Sequence, residues 1–346
     1  MNNAQRFIED SYLLDWNSIK DERDWNGLLV GNGASCNIWD KFRYLSLYEA
    51  AQSADIEHQL SSEDIIIFEA MNTKDFERVL AALWTAETIY EILQQDSLIA
   101  HERYESIRKA LIEAVHAVHI PWLSIPTESL GKINSALLPY QSIYSTNYDL
   151  LLYWAIMTEN PPKFKDYFWS NPMYFDITNT KIFEGGRRIL YLHGALHLVS
   201  VPFGSGTRKF IADEYNLLEQ FGQALNPGEI PLFITEGNSI DKLASIRSSD
   251  YLSFAYEQFA NHNGSLVIFG QSLGESDQHL IDAIKRWENC TIAISMRSGG
   301  DSNAIIERKA RVKRQLPQAH IMFFDAETHP LGEPNLRITR NGEINQ

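Results

Sequence analysis

Four short polar sequences, each directly after an apolar run, contain the residue types that could do chemistry in this chain. They are GNGAS (31–35), STNYD (145–149), HG (193–194) and GQSL (270–273). Glycines let a backbone approach a ligand closely, and hydroxyl and amide side chains offer hydrogen bonds that orient a polar ligand. If the four sequences lie together in the fold, they predict a binding site for a polar ligand.

The first of these sequences has the composition of a phosphate-binding turn. Gly31 and Gly33 permit positive φ and a close approach to a ligand. Ser35 is predicted to cap a following helix, whose amino end would then offer N–H groups to a phosphate. Cys36 stands in place of the third glycine of G-x-G-x-x-G, so an ordinary dehydrogenase is not indicated. A tight strand-to-helix turn without a ligand is the alternative.

A histidine at a strand end, such as His193, is more often structural than catalytic. His197 follows four residues later, but the sequence HGALH contains a glycine and is expected to turn. Because a turn would not give the helical spacing of two metal ligands, no metal site is predicted here.

Seven short apolar runs, bounded by turn residues, have the length of buried strands. They are residues 27–31, 142–144, 188–194, 230–237, 265–270, 291–296 and 320–325. Most are continuously apolar rather than alternating, which is typical of strands covered on both faces. Helix-like periodicity separates them, for example over 38–52, 247–261 and 276–288.

This alternation predicts an α/β fold, with a Rossmann-like, mainly parallel sheet flanked by helices in a single domain over 1–346. Residues 53–135 lack a strand pattern and contain two long amphipathic stretches, which indicate a helical insertion between the first two strands. Residues 155–187, rich in aromatic residues and proline, are interpreted as a lid or a packing arm. The carboxyl ends of parallel strands share one edge, so the four polar sequences are expected to form one site.

Composition excludes several classes of protein. The net charge of −15 argues against direct nucleic-acid binding, which needs clustered lysine and arginine. The basic run 307–315 has helical spacing and is interpreted as a solvated helix face. Two distant cysteines exclude a multi-cysteine zinc module and a disulfide framework. No apolar stretch approaches the roughly 18 residues of a membrane span, and no signal pattern begins the chain, so a cytoplasmic protein is expected.

In this order, GNGAS, STNYD, LHG and FGQSL resemble the sirtuin-like NAD-consuming domains of prokaryotes. The pattern of that family is a G-A-G-x-S turn, a T/Q-N-Y/I-D loop, an L-H-G strand end and a G-x-S-L turn. The resemblance covers roughly residues 27 to 325, with Asn32 in place of the usual alanine. Two cysteines cannot form the zinc module of protein-deacylating sirtuins, so the resemblance points to the sirtuin-like NAD hydrolases of antiphage defence, which deplete NAD in the infected cell.

The resemblance implies an NAD glycohydrolase that cleaves its substrate NAD to nicotinamide and ADP-ribose, without a metal. Asn147 would bind the ribose and position the attacking water, and His193 would be the general base. Asp149 would contact the nicotinamide amide or brace the loop. The two turns would hold the pyrophosphate and the adenosine ribose through Gly31, Asn32, Gly33, Ala34, Ser35, Gly270 and Ser272.

Two other functions remain open alongside hydrolysis. One is a non-catalytic module that binds NAD or ADP-ribose and signals by conformation. The other is a sirtuin-like enzyme that transfers ADP-ribose to a protein or removes an acyl group. The resemblance also implies regulation by homo-oligomerisation or by a protein partner such as a HerA-type ATPase.

Overall fold

The computed structural model of the protein describes residues 11–43, 46–53, 55–159, 163–169, 173–181, 186–201, 206–210, 217–221, 229–234, 238–288, 290–299 and 301–338. Its strands are β1 Gly27–Val30, β2 Ser142–Ser145, β3 Phe164–Lys165, β4 Arg187–Tyr191, β5 Gly194–Val201, β6 Gly206–Lys209, β7 Ile230–Phe233, β8 Leu266–Phe269, β9 Thr291–Met296 and β10 His320–Asp325.

Seven of these strands form one sheet in the order β10-β9-β8-β1-β2-β4-β3. Every pairing in this sheet is parallel. All residues of β1, β2, β8 and β9 are buried, as expected for strands covered on both faces. The predicted α/β fold with a Rossmann-like, mainly parallel sheet is therefore confirmed, and β1 lies at its centre.

The apolar run 230–237 is not part of the parallel sheet, contrary to its interpretation as one of the alternating strands. Its described portion, β7, pairs antiparallel with β5 in a separate three-stranded sheet of order β6-β5-β7. A fully buried apolar run is compatible with either kind of sheet, so its composition could not choose the partner. Residues 235–237 lie outside the described part of the chain.

The helices pack around these sheets and cluster between β1 and β2. They are α1 Trp16–Ile19, α2 Asn32–Ile38, α3 Leu47–Ala50, α4 Ser62–Ala70, α5 Phe76–Ile92, α6 Leu98–Val118, α7 Thr127–Leu137, α8 Leu151–Met157, α9 Leu217–Gln220, α10 Ser239–Ser248, α11 Asp250–Ala260, α12 Gln278–Ile284 and α13 Ser302–Gln315. None of the helices in the described residues combines the length and the apolar character that a membrane crossing requires.

The helical insertion between the first two strands is confirmed, since α2 to α7 separate β1 from β2 in the chain. Its helices begin at capping residues that the sequence supplies. Asp75 caps α5, and Ser61 with Asp64 forms a capping box at the start of α4. The two longest helices, α5 and α6, pack against each other. The boundaries 53–135 and the single domain over 1–346 stay predictions.

Two segments differ from the expected pattern. The helix expected over 38–52 is broken into a 3₁₀ turn over Asp40–Arg43 and the short α3. Some of the described residues of 155–187 pack against the body of the protein, whereas residues 176–179 and 181 are exposed. Phe164 and Lys165 add β3 to the edge of the sheet, and the buried Phe168 packs against Tyr251 of α11. These contacts are those of a packing arm, and a lid role for the segment stays a prediction.

Candidate active site at the strand ends

The register of the central strands brings the four polar sequences to one edge of the sheet. Val30 pairs with Ser145 and with Phe269, and Ser145 pairs with Tyr191. Each of these residues is the last of its strand. The chain therefore leaves β1, β2, β4 and β8 at the same level, as the parallel arrangement predicted.

The glycines of the first turn serve close packing between two turns of the protein itself. Gly31 has φ −110° and Gly33 lies inside α2, so neither glycine uses the positive φ that its lack of a side chain permits. A Cβ on Gly31 would lie 2.1 Å from Gln271 Oε1, and one on Gly33 would lie 2.7 Å from the carbonyl oxygen of Gly270. Positive φ occurs instead at Gly270, at 71°.

The start of α2 also differs from the prediction. The helix begins at Asn32 with Gly31 as its N-cap, so Ser35 lies within the helix and does not cap it. The side chain of Asn32 donates to the carbonyl oxygen of Phe42 at 3.1 Å. Three backbone N–H groups of the turn donate to carbonyl oxygens of the protein: Gly31 to Phe269, Gly33 to Gly270 and Ala34 to Gly31. These three groups are therefore occupied.

Ser35, Asn147 and Asp149 form one buried hydrogen-bonded cluster. The Asn147 amide donates to Ser35 Oγ at 2.8 Å and to the carbonyl oxygen of Gly31 at 3.2 Å. Ser35 Oγ donates to Asp149 Oδ2 at 2.5 Å. Asp149 Oδ1 accepts from the N–H of Leu151, the first residue of α8. The polar residues after β2 therefore connect the first turn to the helix that follows.

The cluster leaves one polar atom available. Within the described part of the chain, the buried Oδ1 of Asn147 has no hydrogen-bond partner. A buried amide oxygen without a partner costs free energy, and such atoms are rare in native proteins. Burial raises the pKa of Asp149, although hydrogen bonds from Ser35 and Leu151 act in the opposite direction. The cluster thus holds the Asn147 side chain while its oxygen can accept a hydrogen bond.

A histidine of the insertion, which no pattern in the sequence indicated as part of the site, fixes this loop. His119 Nδ1 donates to the carbonyl oxygen of Ile120 at 2.8 Å, and Nε2 accepts from the N–H of Leu150 at 3.0 Å. These two partners require the neutral Nδ1–H tautomer. Burial lowers the pKa of His119 to about 4, which agrees with a neutral ring.

His193 lies at the matching position after β4 and contacts a second histidine. Since Ser145 pairs with Tyr191, Asn147 and His193 each follow the last residue of their strand by two positions. The side chain of His193 is buried, and its Nε2 lies 2.8 Å from Nε2 of His279 on α12. His279 was also missed, and only its position among the apolar residues of a predicted helix could have drawn attention to it.

The histidine pair continues to the start of α10. His279 Nδ1 lies 3.1 Å from Ser239 Oγ, which also accepts the backbone N–H of His279 at 2.7 Å. Lys242 of the same helix forms a buried ion pair with Asp277 at 3.6 Å. Burial, His279 and Lys242 hold the pKa of His193 well below its usual value. Burial and Lys242 lower the pKa of His279 to about 4.

A cavity of about 470 Å³ lies at the ends of β8 and β9, beside the two turns. Gly33, Gly270 and Ser272 line it, whereas Asn147, Asp149 and His193 do not. Arg308 of α13 also lines it and donates to the carbonyl oxygen of Gln271 at 2.8 Å, while its Nε is buried and has no hydrogen-bond partner among the described residues. The interpretation of 307–315 as a solvated helix face is therefore wrong for Arg308.

A larger cavity of about 1230 Å³ lies at the opposite edge of the sheet. It is lined by Asn26 and Gln141, which immediately precede β1 and β2. Volume alone would favour this cavity. The buried polar cluster and the histidine pair, however, lie at the carboxyl edge. The candidate site is placed at that edge because catalysis requires hydrogen-bonding and titratable side chains of this kind.

Two further groups bear on metal binding. The turn expected over HGALH is confined to its start, where His193 lies in a turn and Gly194 has φ 72°, whereas His197 lies in β5, stacked on Tyr153 at 4.5 Å. Among the described residues, Glu57, His58 and Glu113 are close enough together to hold a metal ion. The carboxylate of Glu113 already accepts the backbone N–H groups of residues 57 and 58. This group belongs to the insertion and not to the strand ends.

Two solved structures of Sir2 proteins share little sequence with the chain. One, from work on the mechanism and regulation of Sir2 enzymes, is 14% identical and has a TM-score of 0.33, with 90% of this chain and 98% of that chain covered. The other, a Sir2 homologue mutant in complex with ADP-ribose, is 11% identical and has a TM-score of 0.30, with 92% and 98% covered. The fold class rests on the sheet order of the protein itself.

Comparison with curated proteins gives no match. A family model described as "Domain of unknown function (DUF4917)" matches residues 28–331. The match begins in β1 and ends after β10, so it includes all of the parallel sheet except Gly27, together with the candidate site. Because it covers most of the sequence, the chain belongs to the DUF4917 family.

Proposed function

We propose that the protein hydrolyses NAD to nicotinamide and ADP-ribose at the carboxyl edge of its parallel sheet. The observation that carries this proposal is the equivalent placement of Asn147 and His193 in the fold. They occupy equivalent positions after two adjacent strands, both are buried, and the Asn147 oxygen has no hydrogen-bond partner in the described residues. A fixed acceptor and a neutral imidazole, carried by the ends of two adjacent strands, are suited to orienting a hydroxyl or a water and taking its proton.

In the proposed reaction, the bond between ribose C1′ and the nicotinamide nitrogen breaks, and its electron pair neutralises the pyridinium. Water adds to the oxocarbenium-like C1′ and loses one proton. Asn147 Oδ1 orients the water or a ribose hydroxyl, and His193 takes the proton. Ser35 and Asp149 hold Asn147 in place. A positioned general base is worth roughly 10²–10⁴-fold in rate.

The remainder of NAD would occupy the cavity beside the two turns. Gly33, Gly270 and Ser272 line this cavity, in agreement with the roles that the sequence resemblance implied for them. The guanidinium of Arg308 is a charged donor with an unpartnered Nε in the described structure, which suits a phosphate oxygen. Gly31, Asn32, Ala34 and Ser35 would shape the wall of the turn rather than supply the main phosphate ligands.

The direct test is to measure NAD consumption and nicotinamide release by the purified wild type, Asn147→Ala and His193→Ala. We expect turnover by the wild type and a loss of at least about 10²-fold in both variants. Asn134→Ala is a matched control, because Asn134 is also buried with an unpartnered Oδ1 but lies in α7. Full activity of the His193 variant would refute the catalytic assignment.

A second candidate is a non-catalytic module that binds NAD or ADP-ribose. The observation in its favour is that the cavity excludes Asn147 and His193, so a nucleotide could bind there without reaching them. Mass spectrometry of the products separates the possibilities. Intact but bound NAD supports the binding module, free ADP-ribose supports hydrolysis, and O-acyl-ADP-ribose or a modified protein supports a transferase or deacylase.

The cellular role that we propose is NAD depletion as an effector of antiphage defence, in a homo-oligomer or under a partner such as a HerA-type ATPase. The exposed apolar residues at the turn between α5 and α6 support self-association. They are Ile89, Tyr90, Ile92, Leu93, Leu98 and Ile99, with exposed fractions of 45 to 74%. Exposed apolar patches are typical of protein contact surfaces.

A further inference from the structure

We propose that His193, His279 and Ser239 form a proton relay that carries the proton of the attacking water from the buried site to the protein surface. This inference rests on the proposed hydrolysis of NAD and adds His279 and Ser239 to it. The three groups are contiguous, at 2.8 Å between the two imidazoles and 3.1 Å from His279 to Ser239 Oγ. Both rings are buried, and Ser239 is partly exposed.

Hydrolysis of NAD requires an exit for one proton. When the C1′–N bond breaks, the pyridinium nitrogen keeps the electron pair, and nicotinamide leaves uncharged. The water oxygen forms a bond to C1′ and must lose one of its two protons. The net reaction therefore converts NAD and water to nicotinamide, ADP-ribose and one proton. A base that is enclosed by protein needs a route by which to pass that proton to solvent.

The contacts tie the protonation states of the two rings together. Nε2 of His193 faces Nε2 of His279, so one of these atoms must carry hydrogen and the other must accept. If His193 carries its hydrogen on Nε2, its Nδ1 is free to act as the base. His279 then accepts at Nε2 and carries its own hydrogen on Nδ1, where it can donate to Ser239 Oγ. This is the arrangement that catalysis requires.

The proton can then move in three linked steps. His193 Nδ1 takes a proton from water, its Nε2 hydrogen passes to Nε2 of His279, and the Nδ1 hydrogen of His279 passes toward Ser239 and solvent. Each ring ends with one hydrogen, as it began. Neither imidazole has to remain charged, and exchange with solvent restores the starting arrangement after the products leave.

The charges around the pair explain why a relay is needed. Lys242 of α10 disfavours a positive charge on both rings and is itself paired with Asp277 at the start of α12. Asp282 acts on His279 in the opposite direction but is outweighed. An imidazolium at His193 is therefore costly, and a base in this setting works best if it can pass its proton on as it accepts another.

The activity test compares His279→Phe and His279→Gln with the wild type. We expect kcat for NAD hydrolysis to fall roughly 10- to 100-fold in both variants, within the range of general-base effects, while the Kd for NAD stays within about twofold. Glutamine can keep a hydrogen bond to His193 but cannot pass a proton between two nitrogens, so recovery of activity by His279→Gln would indicate a structural role and overturn the relay.

His262→Gln is the matched control for these variants. His262 is a buried histidine whose pKa is also lowered to about 4, but it precedes β8 at the amino edge of the sheet. We expect it to retain the wild-type kcat. If the wild type turns over NAD and both His279 variants keep the full rate, the relay fails while the proposed function stands.

A second measurement tests the relay without measuring the turnover of NAD. Nitrogen NMR of protein labelled at histidine, near neutral pH, reports which ring atom carries hydrogen. We expect His193 to carry hydrogen on Nε2 and His279 on Nδ1, with both rings neutral. Hydrogen on Nδ1 of His193, or a charged ring, overturns the relay. A wild type that leaves NAD intact at every concentration refutes the proposed function, and the relay of the attacking water's proton falls with it whatever the ring assignment.

Discussion

The imidazole of His119 accepts a hydrogen bond from the backbone N–H of Leu150 at 3.0 Å. The contact joins the end of α6, in the helical insertion, to the loop that holds Asn147 and Asp149. The insertion is therefore not merely an appendage of the sheet, because its longest helix supplies a fixed acceptor to the backbone of the candidate site.

Replacing His119 by phenylalanine should destabilise the protein and slow the proposed reaction. The change keeps an aromatic ring but leaves the buried N–H of Leu150 without an acceptor, which costs about 1–3 kcal/mol. Urea unfolding measures the change in the free energy of unfolding. The control is His320→Phe, at an exposed position at the start of β10, where the expected change is within about 0.5 kcal/mol. Equal stabilities of the two variants would contradict the bracing role.

Alanine at Gly33 and at Gly131 should have opposite effects, although both glycines are helical. In an open helical position, the replacement of glycine by alanine stabilises the folded protein by roughly 0.5–1 kcal/mol. At Gly131 an added Cβ meets nothing within 4 Å, so we expect a gain. At Gly33 it would lie 2.7 Å from the carbonyl oxygen of Gly270, so we expect a loss of about 1 kcal/mol or more. Thermal unfolding compares the two, and a gain at both positions would show that the turns are not tightly packed.

The position of the site was predictable from the sequence because it depends on local patterns. Apolar runs followed by Gly, Asn or His mark strand ends, and parallel strands place those ends at one edge. Asn147, His193 and Gly270 therefore lie at the edge where they were expected. Their roles toward NAD stay predictions, since those roles depend on the substrate.

The contacts that organise the site were not predictable in the same way. His119 and His279 come from helices distant in sequence, and nothing in their spacing indicates which loop or ring each one meets. β7 was placed in the wrong sheet because its burial does not reveal its partner. The conformations of Gly31 and Gly33 depend on the second turn that packs against them, which periodicity cannot supply.

Arg308 should determine nucleotide affinity through the cavity beside the turns. We expect Arg308→Met to weaken NAD binding by roughly 10- to 100-fold, because a charged hydrogen bond to a phosphate contributes about 1.5–3 kcal/mol. Isothermal titration calorimetry with NAD and with ADP-ribose measures the loss. Arg314→Met, at an exposed position of the same helix, is the control and should bind as the wild type does. Unchanged affinity in the Arg308 variant would place the phosphates elsewhere.

Self-association should depend on the apolar turn between α5 and α6. Ile92 and Ile99 are 74% and 73% exposed, and charging both as Ile92→Glu with Ile99→Glu would place carboxylates in any contact between copies. We expect light scattering to give an oligomer for the wild type and a monomer for the double variant. Leu123→Glu, at a residue of the insertion that is 91% exposed, should leave the oligomer intact. A monomeric wild type at every concentration would contradict the proposed assembly.

Mild acid should destabilise the protein through its buried histidines. Burial lowers the pKa of His262 from 6.5 to about 4, with a smaller contribution from Arg188. Above about pH 6.5 the ring is neutral in both states, whereas between about 6.5 and 4 only the unfolded chain takes up the proton. The stabilisation is therefore fully present above the pKa that the histidine has in the unfolded chain. As the pH falls below that value, the free energy of unfolding decreases by up to about 1.4 kcal/mol per pH unit for each such ring.

His262→Gln should make this loss of stability with falling pH shallower, because it removes one of the rings that only the unfolded chain can protonate. Urea unfolding between about pH 7 and pH 5 measures the slope. His320→Gln, at an exposed position at the start of β10, should leave the slope unchanged. If His262→Gln also leaves it unchanged, the ring of His262 is protonated in the folded protein, and its buried contacts with Tyr144 and Trp287 do not exclude the charge.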